Sequence, residues 1–441
     1  MSCHLLWLRN DLRLHDHPIF SQPAHFLLPV YILEPRDYAL LPDGFSKAGP
    51  WRLQFLLQSL RDLAAQLAAR GSGLLFAIGE PQSLLPALMQ QYQLQTLWTG
   101  AEVTPEEIAQ QQAVAAALPP GCQLKTFWQR SLFHPDDLPG KMGSQPERLP
   151  QVFSPFRRQI ETSGARWRAP LPVPEQLPRI PGELRISGVE ADGRLPGSDP
   201  WPELTELGLQ APIPDARSAV PFSGGENAAL ARLQHYLWTS HGIACYKETR
   251  NSTIGPDYSS KFSLWLANGS LSPRQIMAEV KRYEAEYGAN DSTYWLYIEL
   301  LWRDYFFWLA RQHGPRLFWA RGLKDQPPLS QPDADLLQRW RDGQTADNFI
   351  NAGMRELQAT GYLSNRLRQN VASYLVHHLK QDWRAGARWF EHCLIDYDPC
   401  SNWGNWLYLA GVGTDPRTRV FNPRKQAQNY DPSGDYRRLW G

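Results

Sequence analysis

Over the first 127 residues, short apolar runs alternate with longer amphipathic stretches. The runs LLWL (5–8), FLLPVYIL (26–33), LLFAI (74–78), TLWTG (96–100) and QLKTF (123–127) are brief and bounded by polar or turn residues, which predicts strands. Between them, segments such as WRLQFLLQSLRDLAAQLAARG (51–71) bring apolar residues back at helical spacing. Strands and helices in alternation predict an α/β domain with a doubly wound, Rossmann-like parallel sheet covered on both faces. No G-x-G-x-x-G follows the first strand, which argues against a nicotinamide-binding dehydrogenase on this scaffold.

The texture then changes. Residues 134–220 are dense in proline and glycine (HPDDLPGKMG, RAPLPVPEQLPRIPGELR, LPGSDPWPEL), punctuation that breaks helices and strands and predicts an interdomain linker. One helical island inside it, VFSPFRRQIE (152–161), implies that the linker wraps over a domain surface. From 221 onward the spacing is helical almost throughout, as in Leu363, Leu367, Val371 and Leu375. The chain therefore divides into an α/β domain (1–133), a linker (134–220) and an all-α domain (221–441), a division that suits 441 residues.

Composition sharpens this division. The chain holds 18 Trp, 17 Tyr and 17 Phe, and twelve of the tryptophans fall after residue 220. Lys and Arg (45) nearly balance Asp and Glu (44), but residues 221–441 carry 26 basic against 22 acidic side chains and the first 220 carry 19 against 22. Any contact with nucleic acid is thus assigned to the helical part. There is no run of about 18 apolar residues, and charges interrupt the start, MSCHLLWLRNDLR, so neither a membrane span nor secretion is expected, and the cytoplasm is the expected compartment. Five scattered cysteines without a C-x-x-C predict free thiols, with no zinc site.

Three patches carry chemistry. In STYWLYIELLWRDYFFWLARQ, Glu299 and Arg303 stand four apart on one face of a nearly apolar helix, so both must be paired, either with each other or with a ligand. In YKETRNSTIGPDYSSKFS, the hydroxyls of Ser259, Ser260 and Ser263 around Lys261 form either a diphosphate cradle or an ordinary helix cap. In LIDYDPCSNWGNWLYLAGVGTDPR, Asp396, Asp398, Asn402 and Asn405 crowd beside Trp403 and Trp406. Asp-x-Asp without further ligands is a poor metal site, and a flat aromatic cofactor suits these residue types better.

Taken in order, LLWLRNDLRLHDHP, YKETRNSTIGPDYSSKFS, STYWLYIELLWRDYF, MRELQATGYLSNRLRQ, DWRAGARWFE and DYDPCSNWGNWLYLAGVGTDPR resemble the photolyase/cryptochrome family, and its cryptochrome-DASH branch most of all, from about residue 4 to about residue 440. The resemblance implies an α/β antenna domain and a helical domain that binds a folded FAD. It places Tyr246, Ser259, Ser260, Lys261 and Ser263 at the FAD phosphates and ribose. Glu299 and Arg303 fall on the helix bordering the flavin, with Glu299 also facing the DNA lesion. Arg368 and Asp396 correspond to an ion pair beside the flavin ring, Asp398 to another cofactor contact, and Asn402 to the residue opposite flavin N5, where an amide bonds a protonated nitrogen without adding charge. Trp406 and Trp383 match the two electron-transfer tryptophans nearest the flavin. The outer donor has no clear counterpart: Trp319, a tyrosine, or none.

For DNA, the resemblance selects Arg250, Asn365 and Arg366 near the lesion or phosphates and Trp302 at the aromatic wall of the lesion pocket. Gln369 and Tyr408 replace a Met and a Trp of relatives that repair duplex DNA, which lowers stacking energy of about 1–3 kcal/mol per base contact and favours single strands. Asn351, in place of a usual Asp, is expected to alter hydrogen bonding at the cofactor edge. An antenna, methenyltetrahydrofolate, is implied between the domains, with Glu106 as the candidate carboxylate. The implied activity is blue-light repair of cyclobutane pyrimidine dimers by an electron from excited FADH⁻, mainly in single-stranded DNA. The alternative is a photoreceptor that signals through its flavin. The chain stops at DYRRLWG, without the long extension of many signalling cryptochromes, which favours repair, and a monomer is expected.

Overall fold

The computed structural model describes residues 3–180, 201–219, 222–327 and 333–441. Five parallel strands form one sheet: β1 (Cys3–Leu8), β2 (Phe26–Leu33), β3 (Leu75–Ile78), β4 (Thr96–Gly100) and β5 (Gln123–Phe127), in the order β3-β2-β1-β4-β5. Period-two alternation sends successive side chains to opposite faces. Leu6, Leu8, Leu27 and Phe76 meet Leu53, Leu57, Leu60 and Leu63 of α1 (Pro50–Ala68). Leu5, Trp7, Leu28 and Val30 meet Leu84, Leu85 and Leu88 of α2 (Pro81–Gln91) and Val114 of α3 (Pro105–Ala117). Pro29 is tolerated in β2 because pairing with β3 begins only at Val30.

After β5 the chain leaves the sheet and enters the helical core. Leu132, Phe133, Leu138, Met142 and Leu149 are buried there, as are Phe153, Phe156 and Ile160 of α4 (Phe153–Ser163). The segment predicted as linker thus supplies core side chains and then returns to the α/β domain, where the Leu171 N–H donates to Asp16 at 3.0 Å and Leu177 and Leu204 pack under the sheet. Its residues 181–200, and the junction at 220–221, lie outside the described residues.

Twelve helices follow among the described residues: α5 (Glu226–Gln234), α6 (Tyr246–Thr249), α7 (Ser263–Ala267), α8 (Pro273–Tyr287), α9 (Asp291–His313), α10 (Ala334–Arg341), α11 (Asn348–Thr360), α12 (Asn365–Ser373), α13 (Trp383–Cys393), α14 (Pro399–Ala410), α15 (Pro423–Tyr430) and α16 (Asp435–Trp440). The axial member is α9. Asn290 caps it by accepting from Ser292 and Thr293 N–H, and Thr293 Oγ1 reciprocates on the Asn290 N–H. Asp304 of α9 accepts the N–H groups of Leu132 (2.9 Å) and Phe133 (3.0 Å), so this buried carboxylate is a clamp on the incoming chain. The opening motif after β1 locks the two domains: Arg13 donates to the Gly269 carbonyl (2.8 Å) and Gln129 Oε1 (2.8 Å), Arg274 pairs with Asp16 (2.8 Å), and Glu226 accepts from the N–H of Leu14 (2.8 Å) and His15 (2.9 Å). No helix among the described residues is long and apolar enough to cross a membrane.

Helix α14 reaches α9 and α13 through two glycines. A Cβ on Gly404 would stand 2.3 Å from Phe306 Cδ1, and one on Gly386 of α13 would stand 2.2 Å from Trp406. Gly404→Ala should therefore lower stability by about 1–3 kcal/mol through overpacking. Chemical denaturation measures the loss, and an unchanged midpoint would contradict the close crossing.

Candidate functional site

A cavity of about 510 Å³ opens among the loop before α7, the middle of α9, the start of α12 and the segment leading into α14. Its loop wall is shaped by Arg232 of α5, whose guanidinium donates to the carbonyls of Ser259 and Ser260 (3.0 Å each) and pairs with Asp257 at 2.7 Å. Ser259, Ser260, Lys261 and Ser263 line the cavity on this side, and Tyr246 adjoins them. Lys261 takes left-handed backbone geometry (φ 61°) and is 3% exposed. Its Nζ lies 3.0 Å from the centroid of Tyr258 and has no hydrogen-bond partner. Burial pushes its pKa well below the usual lysine range, against the pull of Glu356. An amine buried without a hydrogen-bond partner is costly, and an anion beside it would offset that cost.

On α9, Glu299 and Arg303 both line the cavity but do not pair with each other. Glu299 pairs with Arg250, while Arg303 donates to the carbonyls of Arg130 (2.5 Å) and Leu266 (3.0 Å). Glu299 and Arg303 each have a partner on another element, so the ion pair predicted within the helix is not formed. Burial raises the Glu299 carboxyl in spite of Arg250. Opposite, Arg368 Nη2 lies 2.9 Å from each oxygen of Asp396, and its Nε donates to the Leu363 carbonyl at 2.7 Å. Asp398 caps α14 by accepting from the Ser401 N–H at 2.8 Å. Burial works against its charge, but Arg130 and Arg303 keep it below the ordinary carboxylate range.

The mouth is cationic. Arg250, Arg366 and Arg419 line it, and burial together with the nearness of the other two arginines lowers the Arg366 pKa. Gln369 accepts from Arg366 at 2.9 Å and Arg419 lies 5.2 Å over the Tyr408 ring, so the two polar replacements anticipated in the sequence each hold an arginine. Trp302 stacks on Phe153 of α4 at 3.6 Å and 11° and meets Tyr408 edge-on at 6.2 Å. Asn365 is exposed at the rim. An unpaired buried cation and a hydroxyl-rich loop on one wall, with an aromatic and arginine-lined mouth on the other, fit a diphosphate-bearing aromatic cofactor inside and a phosphate backbone outside.

Comparison with known proteins agrees with this geometry. Residues 295–440 match the family model described as the FAD binding domain of DNA photolyase, and residues 4–176 match the one described as DNA photolyase. The chain is 45% identical to the cryptochrome DASH of Gloeobacter violaceus over 443 residues, covering 99% of this chain and 85% of that one, and 45% identical to that of Danio rerio, covering 98% and 82%. The chain belongs to the cryptochrome-DASH branch of the photolyase/cryptochrome family. The crystal structure of the Synechocystis sp. PCC6803 cryptochrome superposes with a TM-score of 0.92 at 44% identity, covering all of this chain and 88% of the other. The class III photolyase of Agrobacterium tumefaciens gives a TM-score of 0.80 at 28% identity, covering 100% and 86%. The helical domain of this DASH-branch chain is accordingly an FAD-binding domain.

Six residues singled out in the sequence lie off the cavity wall. Asn402 stands behind it, with Nδ2 donating to the Ala387 carbonyl at 3.0 Å. Trp406 packs edge-on against Phe390 at 5.1 Å, and Trp383 against Trp403 at 5.6 Å; no ring contact joins Trp406 to Trp383 among the described residues. Trp319 is 53% exposed, and the next residue's carbonyl accepts from Trp383 Nε1 at 3.2 Å. Glu106 faces solvent and pairs with Lys47. One position on, a residue turns about 100° around a helix, and it is Glu107 that lines a second cavity of about 210 Å³ between the domains. Asn351 does not reach the flavin cavity: it staples its own loop, bonding Thr345 N (2.8 Å), Oγ1 (2.7 Å) and O (2.9 Å). The sequence reading missed Arg232, which acts from α5, and also Asn251, which accepts from Arg366 at 3.0 Å, Arg419 and Arg130, which act from loops where no periodicity marks them. No group of three His, Cys, Asp or Glu capable of holding a metal occurs among the described residues.

Two outcomes follow from the buried charges. Lys261→Met should stabilise the FAD-free protein by about 1–3 kcal/mol by removing an unpaired group, yet weaken FAD binding by roughly 10- to 150-fold, as expected for one charge-assisted bond; equilibrium titration reads the second, and unchanged affinity would remove Lys261 from the cradle. Glu356 accepts from Tyr436 and is pushed up from 4.5 to about 7 by burial. The native state thus keeps a proton that the unfolded chain releases near 4.5, so this group's stabilisation is full below that pH and falls as pH rises to about 7. Glu356→Gln should flatten that decline in denaturation curves taken across the same interval.

Proposed function

We propose that this chain repairs cyclobutane pyrimidine dimers under blue light, with single-stranded DNA as the preferred substrate. The observation that carries the reading is one cavity with two faces: the Ser259–Lys261 loop and the Arg368–Asp396 pair within, and Trp302, Tyr408 and three arginines at its mouth. Reduced FAD, when bound there, would supply the light-driven one-electron chemistry that splits the dimer. Ser259, Ser260, Lys261 and Ser263 would hold its diphosphate and ribose, and Asp396, fixed by Arg368, would contact its ring system.

Glu299 is held by Arg250 where it can bond the flipped lesion, and burial raises its carboxyl pKa against the pull of Arg250. Trp302, braced from behind by Phe153, offers the remaining face of its ring to a base. Arg250, Arg366, Arg419 and Asn365 meet phosphates. Because Gln369 and Tyr408 orient arginines and offer little apolar stacking, the mouth favours a strand that is already unpaired over a duplex that must first be opened. Trp406 and Trp383 serve the light-driven reduction of the flavin, and Trp319, beside the Ala320 carbonyl that holds Trp383, is the surface donor.

The smaller cavity takes methenyltetrahydrofolate as antenna. Glu107 and Glu391 are placed there to accept from pterin N–H groups, and Arg9, Lys47 and Arg52 to meet the carboxylates of its tail. The test is illumination of the reduced protein with thymine-dimer oligonucleotides. Dimers should disappear faster from single strands than from duplexes, only in the light, and Glu299→Ala should slow single-strand repair by about 10- to 100-fold, the scale of one lost bond to the reacting group. No repair of either substrate would overturn the enzymatic reading and leave signalling through the flavin.

A further inference from the structure

A buried relay of charges joins the α/β domain to the flavin cavity. Glu102 follows β4, and Arg130 follows β5. Arg130 Nη1 donates to Glu102 at 2.6 Å and its Nη2 to Asp398 at 2.5 Å, with side-chain exposures of 3% for the guanidinium and 2% and 7% for the carboxylates. Asp398 lines the larger cavity, Arg130 lines the smaller one, and Glu102 lines neither.

The relay also sets geometry. The other oxygen of Asp398 caps α14 at Ser401, so the start of the helix that bears Asn402 and Trp406 is tied to Arg130. Arg303, on the cavity wall, is anchored in turn on the Arg130 carbonyl. Burial works against the charge on Arg130, and the two carboxylates overcome it; removing Arg130 would leave both buried carboxylates without their common partner.

We propose that Arg130 is a positioning residue through which Glu102, in the α/β domain, sets the charge behind the flavin: the Glu102–Arg130 pair holds Asp398 and tunes how readily bound FAD is reduced. The inference rests on the flavin site proposed above. Oxidised FAD takes up two electrons and one proton to give FADH⁻, which carries one more negative charge, so positive charge near it favours reduction and negative charge opposes it. Glu102 touches no wall of the flavin cavity, and its chain of contacts to that wall runs through the Arg130 guanidinium to Asp398.

The test is the midpoint potential of FAD bound to the wild type, E102Q and R130Q, preceded by FAD titration of each. E102Q removes a negative charge and should move the potential upward; R130Q leaves two carboxylates unbalanced and should move it downward. Opposite signs are the signature, since simple loosening of the fold would move both variants the same way. Shifts of one sign, or a wild-type potential in E102Q with FAD fully bound, would overturn the proposal. Absence of FAD binding by the wild type would instead overturn the flavin site itself. If R130Q does not retain FAD, E102Q alone decides: an upward shift supports the relay and none refutes it.

Discussion

Removing charge from water is the constraint on which this structure turns. Asp396, Asp398 and Lys261, on the wall of a single cavity, are each less than a tenth exposed, as is Glu356, which lies off that wall. At such depth a charge survives only beside an opposite charge or a set of oriented donors. Arg368 neutralises Asp396, Arg130 neutralises Asp398, and Glu356 resolves the conflict by keeping its proton. Lys261 alone is left with two aromatic rings for company. On the wall of a cavity of about 510 Å³, Lys261 Nζ is left without a hydrogen-bond partner, and an anion bound beside it would supply one.

The same constraint makes two domains behave as one scaffold. The segments after β1 and β5 carry polar side chains that have no place inside the α/β domain, and they find partners on the helical one: Arg13 on the Gly269 carbonyl, Asp16 on Arg274, Arg130 on Asp398. Asp304 does the reverse, reaching from α9 to the chain entering from the sheet. These bonds are what place an α/β surface against the flavin wall and leave the smaller cavity between them.

Much of this was legible in the sequence. Short apolar runs bounded by turn residues marked every strand: β1 to β4 are largely buried between helices, and in the edge strand β5 only Phe127 is buried. The chemistry of the cavity walls was legible because the motifs are contiguous: Ser259 to Ser263 lie on one loop, and Asp396 to Asn402 on one turn and helix. What escaped depends on distance in sequence. Nothing near Arg130 or Glu102 marks them, because their partnership spans 28 residues between them and 268 to Asp398. Helical spacing offered Arg303 as one possible partner for Glu299, whereas the fold brings Arg250 to it from 49 residues earlier. Glu106 was chosen over Glu107 because a helix start shows its composition in sequence but not its rotation.

In the proposed function, flavin and damaged base share one cavity, the first held by the inner wall and the second by Trp302 and Glu299. Steady-state fluorescence of the reduced, bound flavin, titrated with a single-stranded oligonucleotide carrying one thymine dimer, tests this most directly. Quenching should track binding of the damaged strand and be absent with the undamaged strand of the same sequence at equal occupancy. Equal fluorescence in both complexes would mean that the lesion does not reach the flavin, and would contradict the shared cavity.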